Sequence, residues 1–341
     1  MRHNLLLLIL VMALPSLILA QKSDKTILFS SDAPLDIRLR FNVKDVKKIT
    51  VDTIYTASVM HFKSGDKWDS IPVDIRARGN FRRANCYFPP LRIKIKKDAA
   101  KGTVFEGNRS LKLVLPCKSE KDGNLVLREY VCYKMYEPVT KYIFNTRRAA
   151  IDFTDVSNKK KAHLPVVGFF IEDDDLVAKR HNSKVIETQM SPMRLQDTAS
   201  VRHDYFQFMI ANTDWSTAFM HNAKVIQVSD SKAPYYVPLT YDFDMSGVVN
   251  APYAQVNETL GIASVTERLY RGFCRAPGVM DAVRKEYLAN EGKIMGELKR
   301  HESLFEPKEF TGMNNFVKDF FEILRSDTRF KTEVTDKCRT K

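Results

Sequence analysis

The chain has 341 residues, 44% of them hydrophobic and 28% charged, enough for one large or two medium domains with a real core. It carries no repeat and no second apolar run after its first twenty residues, which excludes a repeat array and a multi-span membrane protein. Lys and Arg outnumber Asp and Glu by 54 to 41, a net charge of +13, so an anionic partner is favoured: nucleotide, phosphorylated surface, acidic glycan or nucleic acid, with plain solubility as the alternative.

Residues 1–20 combine a short basic start, Arg2 and His3, with an apolar run and Ala20 before Gln21, the pattern of a cleaved signal peptide and of a secreted or periplasmic product. Residues 21–175 are expected to form a β-rich half with one helix. Period-two alternation marks strands at Leu35–Phe41, Val73–Ile75, Leu91–Ile95 and Leu111–Leu115. Leu127, Tyr130, Val131 and Met135 then share a helical face, and Pro138 closes that helix. Strands resume at Ala149–Phe153 and Val166–Ile171. Residues 176–341 are expected to be mainly helical: Tyr205, Phe208, Met209 and Asn212 line one face, two short strands cover Ala223–Val228 and Tyr235–Tyr241, and stripes follow at Val279, Val283, Tyr287 and at Phe316, Phe320, Leu324. A β-rich half followed by an α-rich half predicts an α+β fold of two lobes with a ligand cleft between them.

Five cysteines in an oxidising compartment predict one or two disulfides and a leftover thiol, which we assign to Cys132 inside the helical pattern. No CxxC pair or Cys/His cluster offers a zinc site.

The chemistry concentrates in two stretches. ANTDWSTAFMHN supplies Asp214 and Asn222, and TYDFDMSG supplies Asp242 and Asp244; carboxylates and an amide are hard oxygen donors suited to Mg²⁺ or Mn²⁺. In an extended segment Asp242 and Asp244 lie on one face and can address one ion, whereas the plain reading is a turn cap. His221 is read as a packed or hydrogen-bonded histidine. Cations for phosphate come from the β-rich half: Arg76, Arg78, Arg82 and Arg83 surround Gly79, and Lys94 and Lys112 each project from an alternating strand. A Lys112–Glu129 ion pair would aim that lysine into the cleft. RLYRGFC, with Arg268, Arg271 and Arg275, is read first as a brace.

Taken in order, RARGN, LRIKIK, LKLVLP, LREYVCYKMYE, GFFIEDDD, NTD, HN and YDFD resemble the spore coat protein H (CotH) kinase family, over roughly residues 70 to 275. The resemblance implies an atypical protein-kinase-like fold that uses ATP and a divalent metal to phosphorylate proteins. It implies that Asp214 is the catalytic-loop aspartate, Asn222 the metal-binding asparagine and Asp242 the metal aspartate, with Asp244 on a second ion or the turn. Lys112 or Lys94, with Glu129, Arg78 and Glu172 near the hinge, would hold the nucleotide. The chain departs from the family in lacking an HRD triplet before Asp214, in its longer Asp-to-Asn gap, and in the Phe and Arg after RGN. The expected function is an exported phosphotransferase acting on a protein hydroxyl. Its partners are a nucleotide and a protein substrate, with no nucleic acid and no membrane span in the mature chain. The alternatives are a catalytically silent binder of a nucleotide or anionic polymer, and a metal-dependent phosphoester hydrolase.

Overall fold

Alternation decides which side of each strand is buried. In β1 (Leu35–Phe41) the odd-numbered Leu35, Ile37, Leu39 and Phe41 are buried, and Arg38 and Arg40 between them are exposed. The same rule orders the buried part of β2 (Thr56–Ser64), the second half of β3 (Lys67–Ala77), β4 (Leu91–Ile95) and most of β6 (Thr146–Asp155), whereas β5 (Ser110–Val114) and the end of β7 (Leu164–Ile171) are buried on both faces. These seven strands close into a barrel in the order β1-β2-β3-β4-β5-β7-β6. Every pairing is antiparallel except the last, where β6 runs parallel to β1 with Ile37 opposite Ile151 and Leu39 opposite Phe153. Closure leaves no open sheet edge. The interior carries Phe62, Phe88, Phe105, Phe153 and Phe170, and each such ring contributes roughly 1.5–3 kcal/mol on burial.

The structure, a computed structural model, describes residues 25–158, 160, 162–229 and 233–340. The expected signal peptide lies outside them. The predicted two-lobed, protein-kinase-like α+β fold is corrected here: the strands form a closed seven-stranded mixed barrel with its own core, accompanied by a small three-stranded sheet and helices. The physical reason is the β1–β6 pairing, a contact across more than a hundred residues that local alternation does not encode.

Short helices α1 (Val43–Lys48), α2 (Asn80–Asn85) and α3 (Lys97–Ala100) decorate the barrel. A second core forms where α4 (Gly123–Tyr136), α5 (Asp174–Arg180), α6 (Asp197–Met209), α7 (Pro277–Arg300), α8 (Pro307–Arg325) and α9 (Asp327–Glu333) meet the antiparallel sheet of β8 (Ser183–Ile186), β9 (Ala223–Val228) and β10 (Tyr235–Thr240). β7 is the partition between the cores, because Phe170 joins the barrel interior while Phe169 and Ile171 join the helical core. Gly168 is required there: a Cβ would lie 2.7 Å from the Val114 carbonyl oxygen and 2.9 Å from Ile151 Cδ1.

Cys86–Cys117 ties the end of α2 to the segment after β5, and Cys274–Cys338 ties the chain's end to the segment before α7. Cys132 is a buried free thiol whose pKa burial pushes up. The two bridges are compatible with the expected export. No helix among the described residues is long and apolar enough to cross a membrane.

Candidate functional site

The site begins on the outer face of the barrel, since residues alternating with its core must point outward. Arg76, Arg92 and Lys112 stand in register across β3, β4 and β5. Arg76 pairs with Asp52. Arg92 pairs with Asp173 at 2.6 Å and approaches Asp174 at 4.0 Å. Lys112 is only 5% exposed; its Nζ donates to Asp174 Oδ1 at 3.0 Å and sits over the rings of Phe144 and Tyr241. Burial lowers the Lys112 pKa, Asp174 opposes that, and the charges of Arg78 and Arg92 add to the lowering, so three cations share one field. Burial would raise Asp174, but Lys112 outweighs it and holds the carboxyl down at about 2.

Gly79, at φ +72°, turns the chain from Arg78 into α2 and brings Arg82 to the same place. Arg78 meets Asp242 at 3.5 Å, and the buried Arg82 meets Asp244 at 3.9 Å while donating to the Leu115 carbonyl. β10 ends at Thr240, and Asp242 adopts a left-handed backbone with φ +66°, its N–H donating to Tyr133 Oη at 2.9 Å. The extended Asp242-to-Asp244 geometry expected from the sequence is thus replaced by a turn, with Phe243 packed between Tyr133 and Phe206. The two carboxylates nonetheless share one field: burial and then Asp242 push Asp244 from 3.8 up to about 6, while Arg82 and the Tyr253 hydroxyl, donating at 3.1 Å, pull the other way. Glu129, on α4, is 1% exposed, and its Oε1 has no hydrogen-bond partner among the described residues. Burial, Asp244 and Asp242 raise its pKa well above the usual glutamate value, against Arg82 and Arg78.

The second half of the site follows α6. Asp214 N–H donates to Asn212 Oδ1, and Asn222 Nδ2 donates to the Asp214 carbonyl and to its Oδ2 at 2.9 Å. His221 Nε2 lies 2.8 Å from Asp214 Oδ1, and that hydrogen bond raises the His221 pKa. Buried Gln207 links the halves: it accepts from Asn212 Nδ2 at 2.9 Å and donates to Thr240 Oγ1 at 2.6 Å, and Thr240 in turn donates to the Asn222 carbonyl. Asp242 raises both Asp244 and His221, which puts the two halves in one electrostatic neighbourhood.

The structure therefore brings Asp214, Asn222, Asp242, Asp244, Glu129, Arg78 and Lys112 to the junction of barrel and helices. The expected Lys112–Glu129 pair is corrected to Lys112–Asp174, with Glu129 facing the aspartates instead. Lys94 is exposed on β4, 4.2 Å over the Tyr55 ring. Glu172 is committed elsewhere: Arg180 Nη1 reaches both its oxygens at 2.6 Å, and Asn145 N–H donates to it. The sequence expectation of a packed or hydrogen-bonded His221 is met by its bond to Asp214, whereas Arg92, Asp173, Asp174 and Gln207 were given no role from the sequence. The EDDD run after an apolar strand was the available signal for the aspartates. The bracing role of RLYRGFC is realised as Arg268–Asp319, Arg275–Asp197 and Arg271 on the Thr213 and Trp215 carbonyls.

The donor set fits a hard divalent ion in chemistry, because Asp242, Asp244 and the orphan Glu129 oxygen concentrate more carboxylate than Arg78 and Arg82 neutralise. Among the described residues, no three His, Cys, Asp or Glu are arranged as a ready metal cage. One or two carboxylates are the number that Mg²⁺ commonly takes from a protein. Neither a protein-family model nor a curated protein matches the chain. Fold and site together define a closed barrel carrying a guanidinium–carboxylate cluster against a helical core.

Proposed function

We propose that this site binds a nucleoside triphosphate, as in ATP, with Mg²⁺ or Mn²⁺ and transfers a phosphoryl group to a protein hydroxyl. The observation that carries the reading is the cluster itself: Arg78 on Asp242 and Arg82 on Asp244, around Glu129, whose Oε1 has no hydrogen-bond partner among the described residues, and beside Asp214. Phosphoryl transfer asks a protein for cations on the phosphates, carboxylates for the metal and a carboxylate at the attacking hydroxyl. Arg78, Arg92 and Lys112 fill the first role, with Asp174 sharing or yielding Lys112. Asp242, Asp244 and Asn222 would hold the ion, which when bound neutralises charge on the phosphate oxygens. Asp214 accepts the hydroxyl proton as the new O–P bond forms and the diphosphate leaves. The His221 and Asn222 hydrogen bonds fix its carboxylate in place. The CotH resemblance supports this as a likeness of site residues and not of fold.

One observation favours a second reading, binding without transfer. Lys112 and Arg92 are both engaged by aspartates of the chain itself. Incubation with labelled ATP, Mg²⁺ or Mn²⁺ and a generic protein acceptor separates the readings. Label on protein that is lost in Asp214→Ala and Asp242→Ala supports transfer, free phosphate alone supports a hydrolase, and nucleotide binding without either supports the silent binder. A melting transition that ATP and metal leave unmoved would overturn the nucleotide site altogether.

A further inference from the structure

A cleft of about 470 Å³ opens beside Asp214, between two turns that the chain fixes locally. One is the hairpin in which Ser216 and His221 exchange both backbone hydrogen bonds at 2.9 Å, with Met220 in the left-handed region. That geometry holds Phe219 outward and 72% exposed, the most exposed of the chain's large hydrophobic side chains among the described residues. A second turn is capped by Asn257, whose Oδ1 accepts from Thr259 N–H and Oγ1, and Leu260 and Gln255 of the same segment also line the cleft. Arg271 forms part of the lining. Its guanidinium is held by the carbonyls of Thr213 and Trp215, and it meets no carboxylate in an ion pair among the described residues.

We infer that this cleft docks an extended, acidic peptide segment in which a Ser or Thr stands next to an apolar residue. The inference rests on the proposed reaction for the hydroxyl's role at Asp214. An exposed Phe and a half-buried Leu reward an apolar side chain, which a sugar does not carry. Burying one such side chain is worth roughly 1.5–3 kcal/mol, or about 10- to 150-fold in affinity. Gln255 and Asn257 bring amides of the kind that pair with an extended backbone. Charge complementarity sets the sign of the partner: the Arg271 guanidinium makes no ion pair among the described residues, although Asp214 lies in its field, and the chain carries 13 more cations than anions.

Short fluorescein-labelled peptides read by anisotropy without nucleotide test the inference. An acidic Ser peptide with a neighbouring Leu is expected to bind at least about tenfold more tightly than the same peptide with Gln there, or with its acids changed to Lys. Phe219→Ser and Leu260→Gln, both away from the reacting groups, should each remove most of the Leu preference. Absent binding, equal affinity for the Leu and Gln peptides, a preference untouched by both variants, or displacement by a hexose oligomer would overturn the inference. Peptide that binds with the expected preference and is never phosphorylated overturns the proposed reaction alone. Phosphorylation indifferent to Leu and to Phe219 overturns the docking inference alone.

Discussion

Replacing Asp244 by Asn tests the electrostatics of the cluster in the metal-free protein. Asp244 is buried, and burial with repulsion from Asp242 pushes its pKa from 3.8 up to about 6. The folded chain therefore keeps this proton to about pH 6, while the unfolded chain releases it near 3.8. Stability from this group is full below the unfolded value and lost as pH rises through the folded one. At about 1.4 kcal/mol per pH unit, the rise amounts to a loss on the order of 3 kcal/mol. Asn keeps an acceptor for the Tyr253 hydroxyl but cannot titrate. Urea unfolding of both proteins in chelator, from about pH 4 to about pH 8, gives the difference in unfolding free energy. We expect wild type to lose on the order of 3 kcal/mol relative to Asp244→Asn between about pH 4 and pH 7, then to run parallel. A constant offset superimposed on that pH-dependent loss bears only on packing. A difference that does not change with pH, or that grows in favour of wild type, would refute the reasoning.

Lys112→Met should cost about 3–5 kcal/mol in urea unfolding by leaving the Asp174 carboxylate buried without its 3.0 Å partner. Lys112→Met with Asp174→Asn should cost less than the two single changes added together, and additive costs would show the pair uncoupled. In acid, the stabilisation from Asp174 should fade as pH drops from 3.8 toward about 2, read as a steeper acid loss in wild type than in Asp174→Asn. The NMR titration of His221 should lie above 6.5 in wild type and fall back in Asp214→Asn; its contribution to stability is present below 6.5 and lost as pH rises through the folded value. Gly168→Ala should destabilise by about 1–3 kcal/mol in thermal or urea unfolding, because the added methyl meets the backbone of β5 at 2.7 Å.

Period two in LDIRLRF and LRIKI carried real information, since it fixed which side chains enter the barrel and which stand outside. It also aligned Arg92 and Lys112 on the outer face, where the cluster forms. What alternation does not carry is closure. β2 was passed over because much of it is exposed and only Met60 and Phe62 are buried, yet it bridges β1 to β3. Without β2, and without the parallel β1–β6 contact, the same strands read as an open sheet facing a helical lobe. That gap produced the expectation of two lobes with a cleft between them; its kinase-like form came from the resemblance.

The site was legible as residue types and only partly as pairs. Asp214 with Asn222 and Asp242 with Asp244 were found because each pair lies within a few residues. The partners that decide their chemistry come from far along the chain: Arg78 and Arg82 reach Asp242 and Asp244 from the barrel, and Asp174 takes the lysine that element order gave to Glu129. The release of Glu129 is the consequential difference. A Lys112–Glu129 pair would have neutralised the acid and left two aspartates balanced by two arginines. With the lysine on Asp174, a third carboxyl faces Asp242 and Asp244, and burial and mutual repulsion raise the pKa of both Glu129 and Asp244.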